Sequence, residues 1–462
     1  MAKDLRSFFK EVGLDLIEID KEIDPVNELA EISSKVVGPI LYKNIKGYPG
    51  WRIADELVRT RKSQATALGA QKGRVVQHLA DLLAKPGGEV KLVKTGPVKD
   101  KIMLGDKANL LDLPITKHSN IDAGRYIGSG MHITKDPETG NRNVACLRTQ
   151  IKGPRKAGIM MVPRHTWVHF SKWEAMGKDM PMAIAIGHHP AYDIATNVCG
   201  AYEMDELEVA SRFLGEPVEV VKCETIDLEV PAHAEIVIEG YLRANVREDE
   251  GPFGEFQCYF SGEGMNPVYE VTAITMRNDA IYRNIQATEF TEHISLVVLP
   301  MEADIYNRLR DFQGGSMQVH DVFIPPWGSG WLVVIQVTAQ YDGQVRDALM
   351  IPLTSAYLHP KIVVAVDPDV DIENPAEVWW AVSTRVNPDK DIMLTSGNRI
   401  HPMDISCPQI SPPGEKTWQR IGGKMGIDAT KPSMFRKTER ERFTRCRPMG
   451  WGVVKPEDFI KR

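Results

Sequence analysis

Between about residues 125 and 298 the chain reads as strand after strand, and that run limits the available folds more than any other feature. The segment ITKDPETGNRNVACLRTQI sets strand-like apolar flanks around a DPETG turn, which predicts a hairpin. IDLEVPAHAEIVIEGYL alternates as a half-buried strand does, and PVYEVTAITMRNDAIYRNIQ reads as a further pair of strands. Helical spacing interrupts the run only near 164–177 and 204–214.

On either side the rhythm differs. Residues 1–109 mix helical patterns (Asp24 to Lys35, Trp51 to Ala67, Gly73 to Ala84) with short strands such as GPILYKNI. Asp24 is placed as the N-cap of the first helix and Pro25 as its first residue. The segment LLDLPITKHSNIDAG is an irregular connector. Strand-then-helix units return after about residue 299: PKIVVAVD is a buried strand, and Asn374-Pro375 opens the helix PAEVWWAVSTRV. The expected fold is therefore α/β (α+β), with an N-terminal α/β domain over 1–109 and a β-rich domain over 110–298. A C-terminal α/β domain over 299–434 and a basic arm over 435–462 complete the expectation, and 462 residues suffice for these units.

Net charge narrows the partners. At −6 the chain lacks the basic face of a general nucleic-acid binder. The arm carries nine Lys or Arg against four acids, but without an aromatic stacking pattern it reads as a segment that packs on a neighbouring subunit. The N-terminus has apolar residues at helical spacing and charges throughout, unlike a signal peptide. No apolar run approaches the roughly 18 residues of a membrane span. Six scattered cysteines without a CxxC pair point to a reduced, cytoplasmic protein with neither disulfides nor a zinc site.

Several attractive motifs fail on inspection. DPDVDIENPAEV begins like a calcium loop but has Ile372 at the turn position and Val378 where a bidentate Glu belongs. GRYIGSG and PPWGSGW read as loops. His165 and His169 have metal-like spacing without the accompanying glutamate, and His188-His189 reads as structural or exposed.

REDEGPFGEF holds more. Glu250 and Glu255 flank Gly251-Pro252-Phe253-Gly254, a stretch with turn chemistry. Two carboxylates roughly 6 Å apart at an effective dielectric of about 20 repel by about 3 kcal/mol, enough to raise one pKa toward a general acid's range. A solvated acidic hairpin tip is the other reading, and the stretch alone leaves both open. Asn143, His165 and Glu206 offer two oxygens and a nitrogen, a set suited to Mn²⁺ or Mg²⁺ bridging a phosphate. Arg148, near paired carboxylates, could hold a substrate carboxylate bidentately. In a regular strand Asn143 and Arg148 would face opposite sides, so a bulge or strong twist is expected.

At these residues the chain resembles the UbiD family of prenylated-FMN-dependent decarboxylases. The resemblance covers nearly the whole length, through DPETGNRNVACLR, PMAIAIGHHPA, EMDELEVASRFLGEPVEVVKCETIDLEVPAHAEIVIEGYL, EGPFGE, VWWAVSTRVNPDKDI and GGKMGIDAT in order. It implies a split β-barrel flavin-binding domain at the centre and a C-terminal oligomerisation domain. It implies that Asn143, His165 and Glu206 bind the divalent ion (Mn²⁺ or Mg²⁺) that clamps the cofactor phosphate, with K⁺ close by. Lys424 falls near that phosphate, and Arg164 is a further cofactor contact. Arg148, Glu250 and Glu255 match the catalytic Glu-Arg-Glu network.

The implied reaction is a reversible, non-oxidative decarboxylation through a covalent substrate–cofactor adduct. Glu255 delivers the proton that replaces CO₂, while Arg148 and Glu250 orient the carboxylate. A flavin prenyltransferase supplies the cofactor, and the assembly is a homodimer or homohexamer. Gln286, His293, Trp331 and Arg399 are candidate substrate contacts. Their polar and aromatic mixture favours an aromatic or heteroaromatic acid over a polyprenyl benzoate. An α,β-unsaturated, cinnamate-like acid is one alternative. A flavin-binding subunit of a multi-component carboxylase is another, against which the complete catalytic and metal sets argue.

Overall fold

In a computed structural model, which describes residues 2–288, 290–410 and 419–460, the β-rich stretch forms one nine-stranded sheet curled into a half-barrel. Its spine is the antiparallel pair Ile236–Glu250 and Gly264–Met276. Met180–Ile186 and the hairpin Met131–Lys135/Arg142–Cys146 extend it on one side, Lys156–Ile159 and Thr149–Gly153 on the other. The DPETG turn closes as expected: Asp136 Oδ1 accepts from the Glu138 N–H at 2.8 Å. Ile236–Gly240 is buried on both faces rather than half-buried, because the sheet packs between two apolar clusters. Two helices, His165–Ala175 and Glu206–Leu214, fall where helical spacing interrupts the strand pattern. A third, Pro190–Ala195, is short and capped by His189, and its six residues give no periodic signal.

Two segments depart from expectation for a shared reason. Trp51–Ala67 is not one helix: Arg52–Asp55 is a strand, and the helix Arg61–Leu68 begins only after Thr60 caps it. Ile281–Arg283 does not pair with Gly264–Met276 but lies parallel to Arg52–Asp55, in a four-stranded sheet with Ile17–Ile19 and Ile40–Tyr42. Non-local pairing decides both cases, and local propensity carries no trace of it. The helix expected from Asp24 forms only over Leu29–Lys35; Asp24 caps the turn before it, taking the Val26 N–H at 2.9 Å.

The C-terminal layer is a five-stranded sheet ordered Gln318–Phe323, Leu332–Thr338, Ile362–Val366, Arg420–Asp428 and Ile392–Ile400. The 19-residue helix Glu292–Arg310 joins it to the half-barrel. Asn374 caps Pro375–Arg385 as expected. Part of the basic arm folds back on its own chain: Arg445 forks onto Glu377 at 2.8 and 3.0 Å and lies over Trp380. Trp451, Val453 and Phe459 beyond it are exposed, and the arm's last two residues lie outside the described ones. Among the described residues no helix is long and apolar enough to cross a membrane.

Candidate active site

Arg148 lies in the short link between Arg142–Cys146 and Thr149–Gly153, which pair in different parts of the half-barrel. The strand that carries Asn143 therefore ends before Arg148, and no bulge is needed to reconcile their directions. Glu250 closes the long strand Ile236–Glu250. The chain turns at Gly251, whose φ of +93° suits glycine and whose N–H donates to Gln150 Oε1 at 3.2 Å. Phe253–Gly254 then pairs with Phe260–Ser261 and delivers Glu255.

The turn brings both acids onto one guanidinium. Arg148 donates through Nε to Glu250 Oε1 at 2.9 Å and through Nη2 to Glu250 Oε2 at 2.7 Å. Its Nη1 donates to Glu255 Oε1 and, at 2.8 Å, to Ser261 Oγ. Asn266 reaches Glu250 Oε2 at 3.4 Å, and the Phe253 ring lies 4.8 Å beneath the guanidinium carbon. All three charged groups are removed from water. Burial pushes the Glu255 carboxyl above its ordinary value, and Arg148 opposes that shift without cancelling it. From the sequence, repulsion from Glu250 is expected to raise it. That repulsion is a lesser contribution, because the arginine stands between the two acids. Glu248 pairs with Lys156 and Lys152, and Asp249 is exposed.

Asn143, His165 and Glu206 gather at the other end of the same hairpin strand. His165 and Glu206 are each the first residue of a helix, and Glu206 Oε2 accepts the Val144 N–H at 2.7 Å, next to Asn143. Asn143 Nδ2 donates to Thr166 Oγ1 at 2.9 Å, which leaves its carbonyl oxygen as the free donor atom. Burial raises the Glu206 carboxyl to about 8 and, with Arg164 second, lowers His165, leaving a neutral ring with an available lone pair. Arg164 is exposed and donates to Cys199 Sγ at 3.4 Å. Lys424 stands apart in the C-terminal sheet, its buried ammonium on the Leu353 carbonyl, and burial lowers its pKa.

Of the substrate candidates, His293 and Trp331 come together around a residue that sequence reasoning missed. The Phe256 ring lies 6.1 Å from His293, 5.4 Å from Trp331, 5.5 Å from His359 and 5.9 Å from His401. Trp331 stacks on His359 at 5.7 Å. Burial holds His293 near 4 and His401 near 3, so these rings are neutral at pH 7. Phe256 directly follows Glu255, and His359 and His401 each precede a proline, a repeated dipeptide that could have flagged them. Gln286 is buried with its Oε1 unpartnered. Arg399 is exposed on Ile392–Ile400, whose next residue, Ile400, is buried. Beside the arginine network a cavity of about 970 Å³ opens between the half-barrel and the C-terminal layer, lined by Gln257, Ser261, Asn266, Met161, Met403 and Arg420.

Comparison with known proteins covers the whole of this architecture. Residues 91–289 match the 3-octaprenyl-4-hydroxybenzoate carboxy-lyase Rift-related domain, 295–429 the C-terminal domain and 11–83 the N-terminal domain of the same enzymes. Anhydromevalonate phosphate decarboxylase of Methanothermobacter thermautotrophicus is 32% identical over 432 residues, covering 93% of this chain and 97% of its own. The UbiD-class enzyme HmfF of Pelotomaculum thermopropionicum, solved with FMN, superposes with a TM-score of 0.89 at 35% identity, over 99% of this chain and 100% of the other. An evolved dimeric form of HmfF, solved with prFMN, gives 0.87 at 34%, over 99% and 100% of the two chains. The apo 3,4-dihydroxybenzoic acid decarboxylase of Enterobacter cloacae gives 0.87 at 29%, again over 99% and 100%.

Proposed function

The chain belongs to the UbiD family of carboxy-lyases, and from that premise we propose that it is a prenylated-FMN-dependent decarboxylase of an aromatic or heteroaromatic acid. One observation carries the reading: beside a cavity of about 970 Å³, a buried arginine is forked onto Glu250 and also bonded to a second buried acid, Glu255, whose pKa is raised. Glu250 occupies the Nε–Nη2 edge of Arg148 and fixes the plane of the guanidinium, leaving Nη1 for Glu255 and for Ser261, whose place a substrate carboxylate would take. Burial raises the Glu255 carboxyl above its ordinary value and so favours its acid form, and its proton goes to the carbon that loses CO₂. The modified flavin, when bound, supplies the sink for the electron pair that CO₂ leaves behind. The ring cluster of Phe256, His293, Trp331 and His359 supports a flat aromatic substrate over a long aliphatic one.

The residues fit a phosphate-clamping metal. A free amide oxygen on Asn143, a neutral imidazole on His165 and a buried carboxyl on Glu206 make a hard donor set for Mn²⁺ or Mg²⁺, and a cation there would offset the burial of Glu206. Lys424 and Arg164 belong to the cofactor phosphate on this reading, and K⁺ beside the divalent ion rests on the family resemblance alone. The six unpaired cysteines support a reducing, cytoplasmic setting, and a homodimer or homohexamer is part of the same reading.

Co-expression with a flavin prenyltransferase tests it. A bound modified flavin with its own absorption spectrum, and CO₂ release from a panel of aromatic acids, are the expected results. Protein that binds no modified flavin under these conditions would overturn the reading.

A further inference from the structure

Glu255 is aimed by its backbone as much as by Arg148, and the groups that hold that backbone lie outside the arginine network. Its own N–H donates to the Tyr259 carbonyl at 2.8 Å, and its carbonyl accepts from the Cys258 N–H at 2.9 Å. One residue earlier, the Gly254 N–H donates to Asp122 Oδ1 at 2.8 Å. Asp122 is buried, and its other oxygen is already committed: Oδ2 accepts from the His118 and Ser119 N–H groups at 3.1 and 2.8 Å. The Ala123 N–H adds a bond to the Pro252 carbonyl at 2.9 Å. One carboxylate thus locks segment 118–123 into a tight turn and clamps that turn onto the strand bearing Glu255.

The clamp has little slack. A Cβ on Gly254 would come within 2.9 Å of both Ser119 Cβ and Thr288 Cγ2, so the turn and strand are pressed backbone to side chain. The turn is itself anchored. His118 packs edge-on against Phe253 at 6.2 Å, and its Nε2 lies 2.8 Å from Thr116 Oγ1 and 3.1 Å from Asn284 Oδ1. Asn284 in turn donates to Asp55 Oδ2 at 2.9 Å, in the N-terminal sheet.

We propose that Asp122, anchored through His118, is the positioning residue for the proton donor: it sets where the Glu255 carboxyl points without touching substrate or cofactor. The inference rests on the reading of Glu255 as that donor. A proton donor displaced by even about 1 Å can lose on the order of 100-fold in rate. A group that fixes the donor's backbone should therefore act on turnover rather than on substrate affinity.

The test uses the full chain loaded with its flavin, with Asp122→Asn, Asp122→Ala and Glu255→Gln compared. Three quantities are read: kcat per bound flavin, KM, and the exchange of the product C–H with solvent deuterium, which by microscopic reversibility runs through the same donor. For both Asp122 variants kcat per flavin and the exchange rate should fall together by about 10- to 100-fold, with KM within about twofold. An unchanged kcat per flavin, even with less flavin bound or a lower melting temperature, would reduce Asp122 to a structural group and overturn the inference. Should neither variant fold, His118→Phe decides. It keeps a ring on Phe253 but cuts the bonds to Thr116 and Asn284, so a several-fold fall in kcat per flavin is expected, and a normal value overturns the inference. If Glu255→Gln itself turns over normally, the donor reading fails. If Glu255→Gln is dead and Asp122→Asn is normal, the positioning inference alone fails.

Discussion

Two places in this molecule set an arginine among buried carboxylates, and their chemistry diverges. Around Arg148 the acids are Glu250 and Glu255. Around Arg283 they are Glu292, with Asp193 at 3.5 Å, and Asp55 and Glu56 pack behind. Carboxylate oxygens of Asp55, Glu56 and Glu292 all lie within 4.8 Å of one another. Burial is the leading cause that raises the carboxyl pKa of Glu255 in the first network, and of Asp55, Glu56 and Glu292 in the second. A shifted acid beside an arginine therefore does not distinguish a reaction site from a structural joint.

What separates them is the next layer out. In the second network backbone N–H groups meet the carboxylates: Val58 on Glu292 at 2.8 Å, Glu56 on Asp55 at 3.0 Å and Glu292 on Glu56 at 3.2 Å. It joins the N-terminal sheet to the first turn of Glu292–Arg310, and its arginine and carboxylates are all buried. In the first network Ser261 and Asn266 also line the large cavity, and the ring cluster begins at the residue after Glu255. The two are coupled, since Glu292 pins the helix start on which His293 stands.

The strongest test of this contrast exchanges the kind of damage. Glu255→Gln should lose about 10²- to 10⁴-fold in turnover while keeping its flavin and its unfolding midpoint in urea. Glu292→Gln should do the reverse, losing about 3–5 kcal/mol of stability because the Arg283 guanidinium stays buried without its closest counter-charge. A Glu292→Gln enzyme of normal stability but no turnover would erase the distinction between site and joint. Next in size, Arg148→Lys keeps the charge but not the fork onto Glu250, and turnover should fall by about 10- to 100-fold, as expected when a bidentate, charge-assisted contact is lost.

How much of this was legible in the residues follows from what each depends on. The hairpin around DPETG, the capped helix after Asn374 and the turn between the two glutamates are local, so turn and cap chemistry exposed them. The pairing of Ile281–Arg283 with Arg52–Asp55 is a contact between distant segments, and the strand misread within Trp51–Ala67 belongs to it. At the site, the roles of Arg148, Glu250 and Glu255 came from the family resemblance; the turn alone read more readily as a solvated tip. Asp122 and His118 gave no signal because their partners beyond the local turn, the Gly254 N–H and the Asn284 side chain, lie in distant segments. Arg399 was expected to reach the substrate, but it is exposed, as strand alternation beside buried Ile400 dictates.

The pH dependence of turnover sharpens the contrast further. Because Glu255 must carry a proton to donate one, kcat should be full below its raised pKa and fall as pH climbs through it. Removing the Glu250 charge withdraws a repulsion that helps hold the proton and leaves Arg148 to pair with Glu255 alone. In Glu250→Gln the basic limb of the profile should therefore move to lower pH. An unmoved limb would mean that a different group governs it.

The last expected effect is also a titration, but of stability. Burial raises Asp193 from 3.8 to about 6, against the opposing pull of Arg283. A group whose folded pKa is raised binds its proton more tightly in the native state. Its contribution is therefore full below the unfolded value, near 3.8, and is lost as pH rises through about 6. Asp193→Asn keeps the shape and removes the titration. The stability gap between wild type and variant, read from urea unfolding between pH 4 and pH 7, should shift by about 2 kcal/mol against the wild type as pH rises. Turnover per flavin should stay unchanged throughout, because Asp193 belongs to the second network. A gap that moves the other way would mean that Asp193 is held ionised by Arg283 and that burial does not govern its charge.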